Sequence, residues 1–170
     1  MVDQAGTAAQ ARQYLADQGL TDRTDVVVAD MFSALPPGGD VYLLSRVIAD
    51  WNDEHATVLL RRCAEAAGAG NRVLVAERLM GEDTHDSPTA SVDRRVATAH
   101  DLRMLVLTGG GKRTLAHLGD LAARAGLTLG SCSLLPAGGS IVEFRVVEPA
   151  GSGAADGPAS TTERIREPLG

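Results

Sequence analysis

The chain has 170 residues, 44% of them hydrophobic but only 3% aromatic, which is one domain's worth of sequence with a core of Ala, Leu and Val. A formal net charge of −6 argues against a phosphate-backbone partner, and the scarcity of aromatic rings removes the stacking platforms that nucleic acids use, so no nucleic-acid role is expected. No apolar run approaches the ~20 residues that span a bilayer, and the N-terminus lacks a basic region followed by a hydrophobic one, so a cytoplasmic protein with no membrane role is expected.

Taken in order, "AGTAAQARQYLADQGL" (Ala5 to Leu20) has apolar residues at helical spacing and Gly19 to close it. "TDVVVADMF" contains a short continuous apolar run, Val26 to Val28, suited to a strand buried on both faces. After the turn cluster "LPPGGD", "VYLLS" (Val41 to Ser45) reads as a second strand of the same buried kind. Asn52 or Asp53 can cap the helix "DEHATVLLRRCAEAA", whose apolar stripe is Ala56, Leu59, Leu60, Cys63 and Ala64 and whose stop is "GAGN". "RVLVAERLM" (Arg72 to Met80) is a third buried strand.

Beyond it, "GEDTHDSP" is a polar connection and "TASVDRRVATAHDLRMLVLTGGGKR" suggests a longer helix that ends at the glycines. "TLAHLGDLAARAGL" is another helix, with Thr114 as N-cap, and "TLGSCSLLP" and "GSIVEFRVVE" form a closing antiparallel pair. The tail from Ala150 is small, polar and aperiodic, and is expected to be disordered, which leaves 1–149 as the folded part. The alternation implies an open α/β sheet with parallel connections, in which ligands bind at the carboxyl ends of strands. Three places follow: Asp30-Met31, Ser45 to Trp51, and Glu77-Arg78.

Several local patterns carry no chemistry. "TGGGKRT" is not a phosphate loop, because Val106 stands where GxxxxGK needs its first glycine and Arg113 follows Lys112. HExxH, GxSxG and GxGxxG are absent, and the four histidines are scattered, so no metal is implied. His117, on a helix, reads as structural; His100, just before "DLRML", is the histidine to watch. Cys63 and Cys132 have no CxxC spacing and read as buried free thiols. Asp3 and Asp30, each just past an apolar strand, can accept hydrogen bonds from ligand hydroxyls or an amine; the plainer reading of each is a strand-end turn or cap.

The blocks "ADMFSALPPGGDVYLLSRVIADWNDEHATVLLRRCAEAAGAGNRVLVAERLM", "DLRMLVLTGGGKRT", "LAARAGL" and "SIVEF" occur in an order that resembles the catalytic domain of S-adenosylmethionine-dependent O-methyltransferases of plant phenolics and bacterial polyketides. The likeness runs from Asp3 to Val147, and its "DRRVATAHDLRMLVLTGGGKRT" portion especially resembles the anthracycline-tailoring branch, which contains both 4-O-methyltransferases and a methyltransferase-like hydroxylase. It implies a Rossmann-like class I sheet, S-adenosylmethionine as cofactor and a small aromatic acceptor. By position, it implies that Asp3 holds the cofactor ribose, that Asp30 and Met31 flank the adenine, and that Ser45 lies near the cofactor. Asp50 and Trp51 would wall the methionine moiety, and His100, Arg103 and Met104 would line the acceptor pocket.

Two departures qualify the resemblance. Ala49 stands where phenolic methyltransferases have the histidine that deprotonates the acceptor, and Lys112 replaces the acidic residue that orients it, while Glu77, the third member, remains. Without an imidazole, methyl transfer is expected to rely on proximity and orientation. Family members are also about twice as long. Relative to them the sheet is expected to be incomplete on its N-terminal side, with the first strand and glycine-rich loop absent. A truncated product, half of a split enzyme completed by a partner chain, and an inactive partner module are the three readings of that difference. A hydroxylase or decarboxylase with a structural cofactor is the alternative activity, and a homodimer is the other assembly open to the chain.

Overall fold

The computed structural model describes residues 1–81, 106, 110–136 and 138–147. The long helix expected before the glycines, the polar connection and the tail therefore lie outside the described residues, as do His100, Arg103 and Met104. Strand β1 (Val2–Asp3) leads into helix α1 (Ala5–Asp17), which returns through a short turn to β2 (Val27–Val28). β1 and β2 pair in parallel, with Asp3 opposite Val28, as a two-stranded sheet of their own. Gly19, at φ +65°, turns the chain after α1 as its position in the sequence suggests.

The second sheet has four strands in the order β3-β4-β6-β5: β3 (Val41–Ser45), β4 (Arg72–Glu77), β6 (Ser140–Val146) and β5 (Leu127–Leu134). β3 and β4 run parallel, joined by helix α2 (Asp53–Ala67) as a crossover. β6 lies antiparallel between β4 and β5, so the closing strand pair forms as read. Helix α3 (Leu115–Arg124) precedes β5, with the Thr114 hydroxyl accepting from the His117 backbone N–H. The molecule is thus an α/β protein with parallel crossovers and a sheet divided in two.

The core explains the arrangement. The α2 stripe of Ala56, Leu59, Leu60 and Cys63 and the α3 residues Leu118, Leu121 and Ala122 bury one face of the sheet, against Val73 and Val75 of β4 and Val142 and Phe144 of β6. Every third or fourth residue of α2 is apolar, so the helix can present one continuous stripe to alternate residues of the strands. Burial of Cys63 pushes its thiol up to about 12, which leaves it an inert packing group.

Two expectations about burial need correction. β3 was expected to be buried on both faces, yet Val41, Leu43 and Ser45 are exposed, with Leu43 60% accessible, and only Tyr42 and Leu44 turn toward the core. α2 and α3 cover a single face, and β3 is an edge strand paired only with β4, so its alternate residues meet no packing partner among the described residues. Val28 of β2 is exposed for the same reason. Cys132 was expected to be buried but is exposed, because it lies on the outermost strand, β5; both cysteines are free.

This asymmetry predicts opposite results for two substitutions in the same sheet. Phe144→Ala, in the covered face, should cost about 3–5 kcal/mol in urea-induced unfolding. Leu43→Ser, in the open face of β3, should change stability by no more than about 0.5 kcal/mol.

Candidate functional site

The carboxyl ends of β1, β2, β3 and β4 carry Asp3, Asp30, Ser45 and Glu77. Asp3 ends β1, and its Oδ1 accepts from the Gln4 backbone N–H at 2.8 Å. Asp30 follows β2, and its Oδ1 accepts from the Phe32 N–H at 2.9 Å, a turn closed by an Asp side chain. The plainer reading of each is therefore realised by one oxygen. Parallel pairing sets the two residues at the same end of neighbouring strands, with Ala29 N–H donating to the Asp3 carbonyl at 3.1 Å.

Ser45 and Glu77 end the parallel pair β3–β4, where Ser45 lies opposite Ala76. Ser45 is exposed. Glu77 Oε1 accepts from the Arg78 N–H, whereas its Oε2 is buried and has no hydrogen-bond partner among the described residues. The chain leaves β3 through Arg46 at φ +55°, a left-handed conformation uncommon for a residue with a side chain. It then makes a single 3-10 turn, Ile48–Asp50, before Trp51 and helix α2. Asn52 caps that helix, its side-chain oxygen accepting from His55 N at 3.0 Å.

A ring cluster joins the two strand pairs at this corner. Phe32, next to Met31, meets Trp51 edge to face with centroids 4.7 Å apart, and His55 lies 5.4 Å from Phe32 and 5.6 Å from Trp51. Arg62 of α2 reinforces the join by donating from Nε to the Phe32 carbonyl at 3.0 Å. The structure thus brings Asp30-Met31 and Asp50-Trp51 into one neighbourhood. Ala49 is half-buried, and its carbonyl accepts from the Gly111 N–H at 2.9 Å, which sets the Ala49 and Lys112 positions on touching segments.

Sequence reasoning missed the residue that ties this region together. Arg113 is buried and donates to the carbonyls of Ile48, Trp51 and Gly111 and to Asp53 Oδ1. His117, read as structural, bonds through Nε2 to the other Asp53 oxygen at 2.9 Å. The one sequence signal was an arginine set between a glycine run and a helix cap in "GGGKRT". No group of His, Cys, Asp and Glu able to hold a metal occurs among the described residues. No described helix is long and apolar enough to cross a membrane.

Comparison with known proteins adds identity to this geometry. Residues 1–128 match the O-methyltransferase domain family. The 2,7-dihydroxy-5-methyl-1-naphthoate 7-O-methyltransferase of Streptomyces carzinostaticus is 45% identical over 129 residues, covering 76% of this chain and 36% of that protein. The aclacinomycin 10-hydroxylase of Streptomyces purpurascens is 41% identical over 160 residues, covering 91% of this chain and 41% of that protein. Among solved structures, an O-methyltransferase of neocarzinostatin biosynthesis, in complex with S-adenosyl-L-homocysteine and 1,4-dihydroxy-2-naphthoic acid, superimposes with a TM-score of 0.74 at 43% identity, over 86% of this chain and 41% of that one. The chain thus spans about two fifths of the length of these relatives.

The Asp53 contacts give the corner a pH signature. Partial burial acts to raise the Asp53 pKa, but hydrogen bonds from Arg113 and His117, and their positive charges, outweigh it and hold the carboxyl below its ordinary 3.8. A carboxylate depressed by folding stabilises the native state above its unfolded pKa, and that contribution is lost as pH falls through the lower folded value. Asp53→Asn should therefore be less stable than wild type at pH 6, and the gap should shrink below about pH 4. Urea midpoints measured from pH 6 to pH 3 check this.

Proposed function

The chain belongs to the O-methyltransferase family, and from that premise we propose that it forms the carboxyl-terminal part of a methyltransferase catalytic domain, with residues 1–149 as that part and 150–170 as a tail. The reaction is methyl transfer from S-adenosylmethionine to a hydroxyl of an aromatic polyketide-type acceptor, in the cytoplasm. The observation that carries this reading is the convergence of Asp30-Met31, Phe32 and Asp50-Trp51 beside the carboxyl ends of parallel strands. Asp3 would accept hydrogen bonds from the ribose hydroxyls with the oxygen its own turn leaves over. Met31 would cover one face of the adenine, and Asp50, Trp51 and Ser45 would border the methionine moiety. His100, Arg103 and Met104 would line the acceptor side. S-adenosylmethionine supplies an electrophilic methyl group on a sulfonium.

Held by Asp3, Asp30, Met31, Asp50 and Trp51, the cofactor would supply the methyl electrophile for the acceptor oxygen, and the phenolic proton would pass to water. Ala49 has no group to accept the proton, so this chain's contribution is placement of the acceptor oxygen against the methyl group. The relative named as a hydroxylase is the reason to test for oxygen insertion alongside methyl transfer.

The assembly follows from the divided sheet. Among the described residues β3 offers an unpaired edge, and the β1–β2 pair stands as a separate sheet. An extended segment carrying a glycine-rich loop, from a longer polypeptide or from a partner chain, would pair with that edge and complete the cofactor site.

Calorimetric titration with S-adenosylhomocysteine, of the chain alone and of the chain joined to such a segment, tests the reading. Binding at micromolar concentration is expected once the segment is present, and its absence below millimolar in both forms would refute the proposal. Ala49→His should change the methyl-transfer rate at neutral pH by less than tenfold. A much larger gain would mean that a protein base, and not placement, limits the native reaction.

A further inference from the structure

The Ile48–Trp51 corner has little to hold it from within. Its own backbone bonds are Asp50 N–H to the Val47 carbonyl at 3.2 Å and Trp51 N–H to the Ile48 carbonyl at 3.3 Å, after a left-handed Arg46. Three of its four carbonyls, those of Ile48, Ala49 and Trp51, accept from one segment far away in sequence. Arg113 Nη1 donates to the Ile48 carbonyl at 2.9 Å, Gly111 N–H to the Ala49 carbonyl at 2.9 Å, and Arg113 Nη2 to the Trp51 carbonyl at 2.7 Å. Arg113 Nε and Nη2 also meet Asp53 Oδ1, each at 2.9 Å, and His117 takes the other oxygen.

The approach is close enough to exclude a side chain. A Cβ on Gly110 would overlap the Ala49 carbonyl oxygen and lie 2.6 Å from the Asp50 carbonyl carbon and 2.7 Å from Trp51 N. Gly110 is required here for contact and not for an unusual backbone angle, since it is not among the glycines at positive φ. Arg113 is only 6% accessible, so its bonds are shielded from competing water.

We propose that Arg113 is a positioning residue for the cofactor corner: with Gly110, Gly111, Asp53 and His117 it clamps Ile48 to Trp51 so that Asp50 and Trp51 are held in their binding arrangement. The role demands a guanidinium. Its planar fork reaches three carbonyls and a carboxylate at once, whereas an ammonium is a point donor on a flexible stem. Thr114, the next residue, caps α3, so the clamp is anchored in the same helix that buries Leu118 and Leu121 in the core. The proposal rests on the reading of this corner as facing the cofactor, and the test separates the two.

Trp51 is the only tryptophan, so its emission reports the corner directly. The full chain carrying Arg113→Lys or Gly110→Ala is compared with wild type by Trp emission, acrylamide quenching and far-ultraviolet circular dichroism. Val142→Ala, in the core and outside the corner, serves as the control for lost stability. The clamp predicts that Arg113→Lys keeps the wild-type dichroism but shifts Trp emission to longer wavelength, with quenching raised about twofold, while the control changes neither. In the segment-completed protein, the S-adenosylhomocysteine Kd should weaken at least tenfold for Arg113→Lys.

If Arg113→Lys prevents folding, Asp53→Asn, which removes the carboxylate but leaves the guanidinium, gives the same emission readout. Wild-type emission and quenching in folded Arg113→Lys or Asp53→Asn overturns the clamp. A shifted Trp51 with unchanged ligand affinity overturns the positioning role. Failure of wild type to bind the ligand, with Trp51 still responding to Arg113→Lys, overturns the functional reading and leaves the clamp standing.

Discussion

Helix α2 sets the geometry of the molecule from both of its ends. Its buried stripe seats it on β4 and against helix α3, a burial that stabilises by roughly 25 cal/mol for each Å2 of apolar surface withdrawn from water. Because the stripe fixes rotation about the helix axis as well as position, the first turn has no freedom of its own. Asn52, Asp53 and His55 are therefore placed by Leu59, Leu60 and Cys63 several residues later. Trp51 immediately precedes the cap, and Arg62 reaches from the helix body to Phe32. The site is thus an extension of a packing decision made in the core.

Among the described residues, the same packing leaves one side of the sheet without a counterpart. Parallel sheets normally have both faces covered, and their strands read as continuous apolar runs. β3 has that composition but an alternating environment, because α2 and α3 occupy one face and β4 occupies one edge. A strand of this kind carries a hydrophobic surface and a row of backbone groups suited to pairing. The β1–β2 pair and the four-stranded sheet are separate among the described residues, and the Phe32–Trp51 contact joins the two parts near the carboxyl ends of their strands.

Much of this was legible from residues alone, and the limits have physical causes. α2 and α3 could be read because a stripe at helical spacing and an Asn or Thr cap are local features, and Asn52 and Thr114 do cap them. The β5–β6 pair was legible from turn residues between two apolar runs. The exposure of Leu43 and Cys132 was not, since composition says that a strand prefers burial but not whether another layer is there to provide it. Arg113 was invisible for a different reason. Its acceptors include main-chain carbonyls of Ile48 and Trp51, 65 and 62 residues away, and a carbonyl leaves no mark on sequence. What the sequence did mark was the small partner, the glycines that permit the approach.

The substitutions at Ala49 and Lys112 gain meaning from this contact. Gly111 N–H bonds to the Ala49 carbonyl, so the backbones of these two positions remain joined whatever their side chains are. The side chain at 49 is a methyl group, and the backbone bond that locates the corner does not depend on it. Lysine at 112 then has no imidazole beside it to orient, and it is itself held by other contacts. Glu77 differs, because its Oε2 is buried without a partner, a situation that typically costs about 1–3 kcal/mol. The bonds that hold the corner therefore come from Arg113 and the glycine backbone, and none of them uses the side chain at position 49.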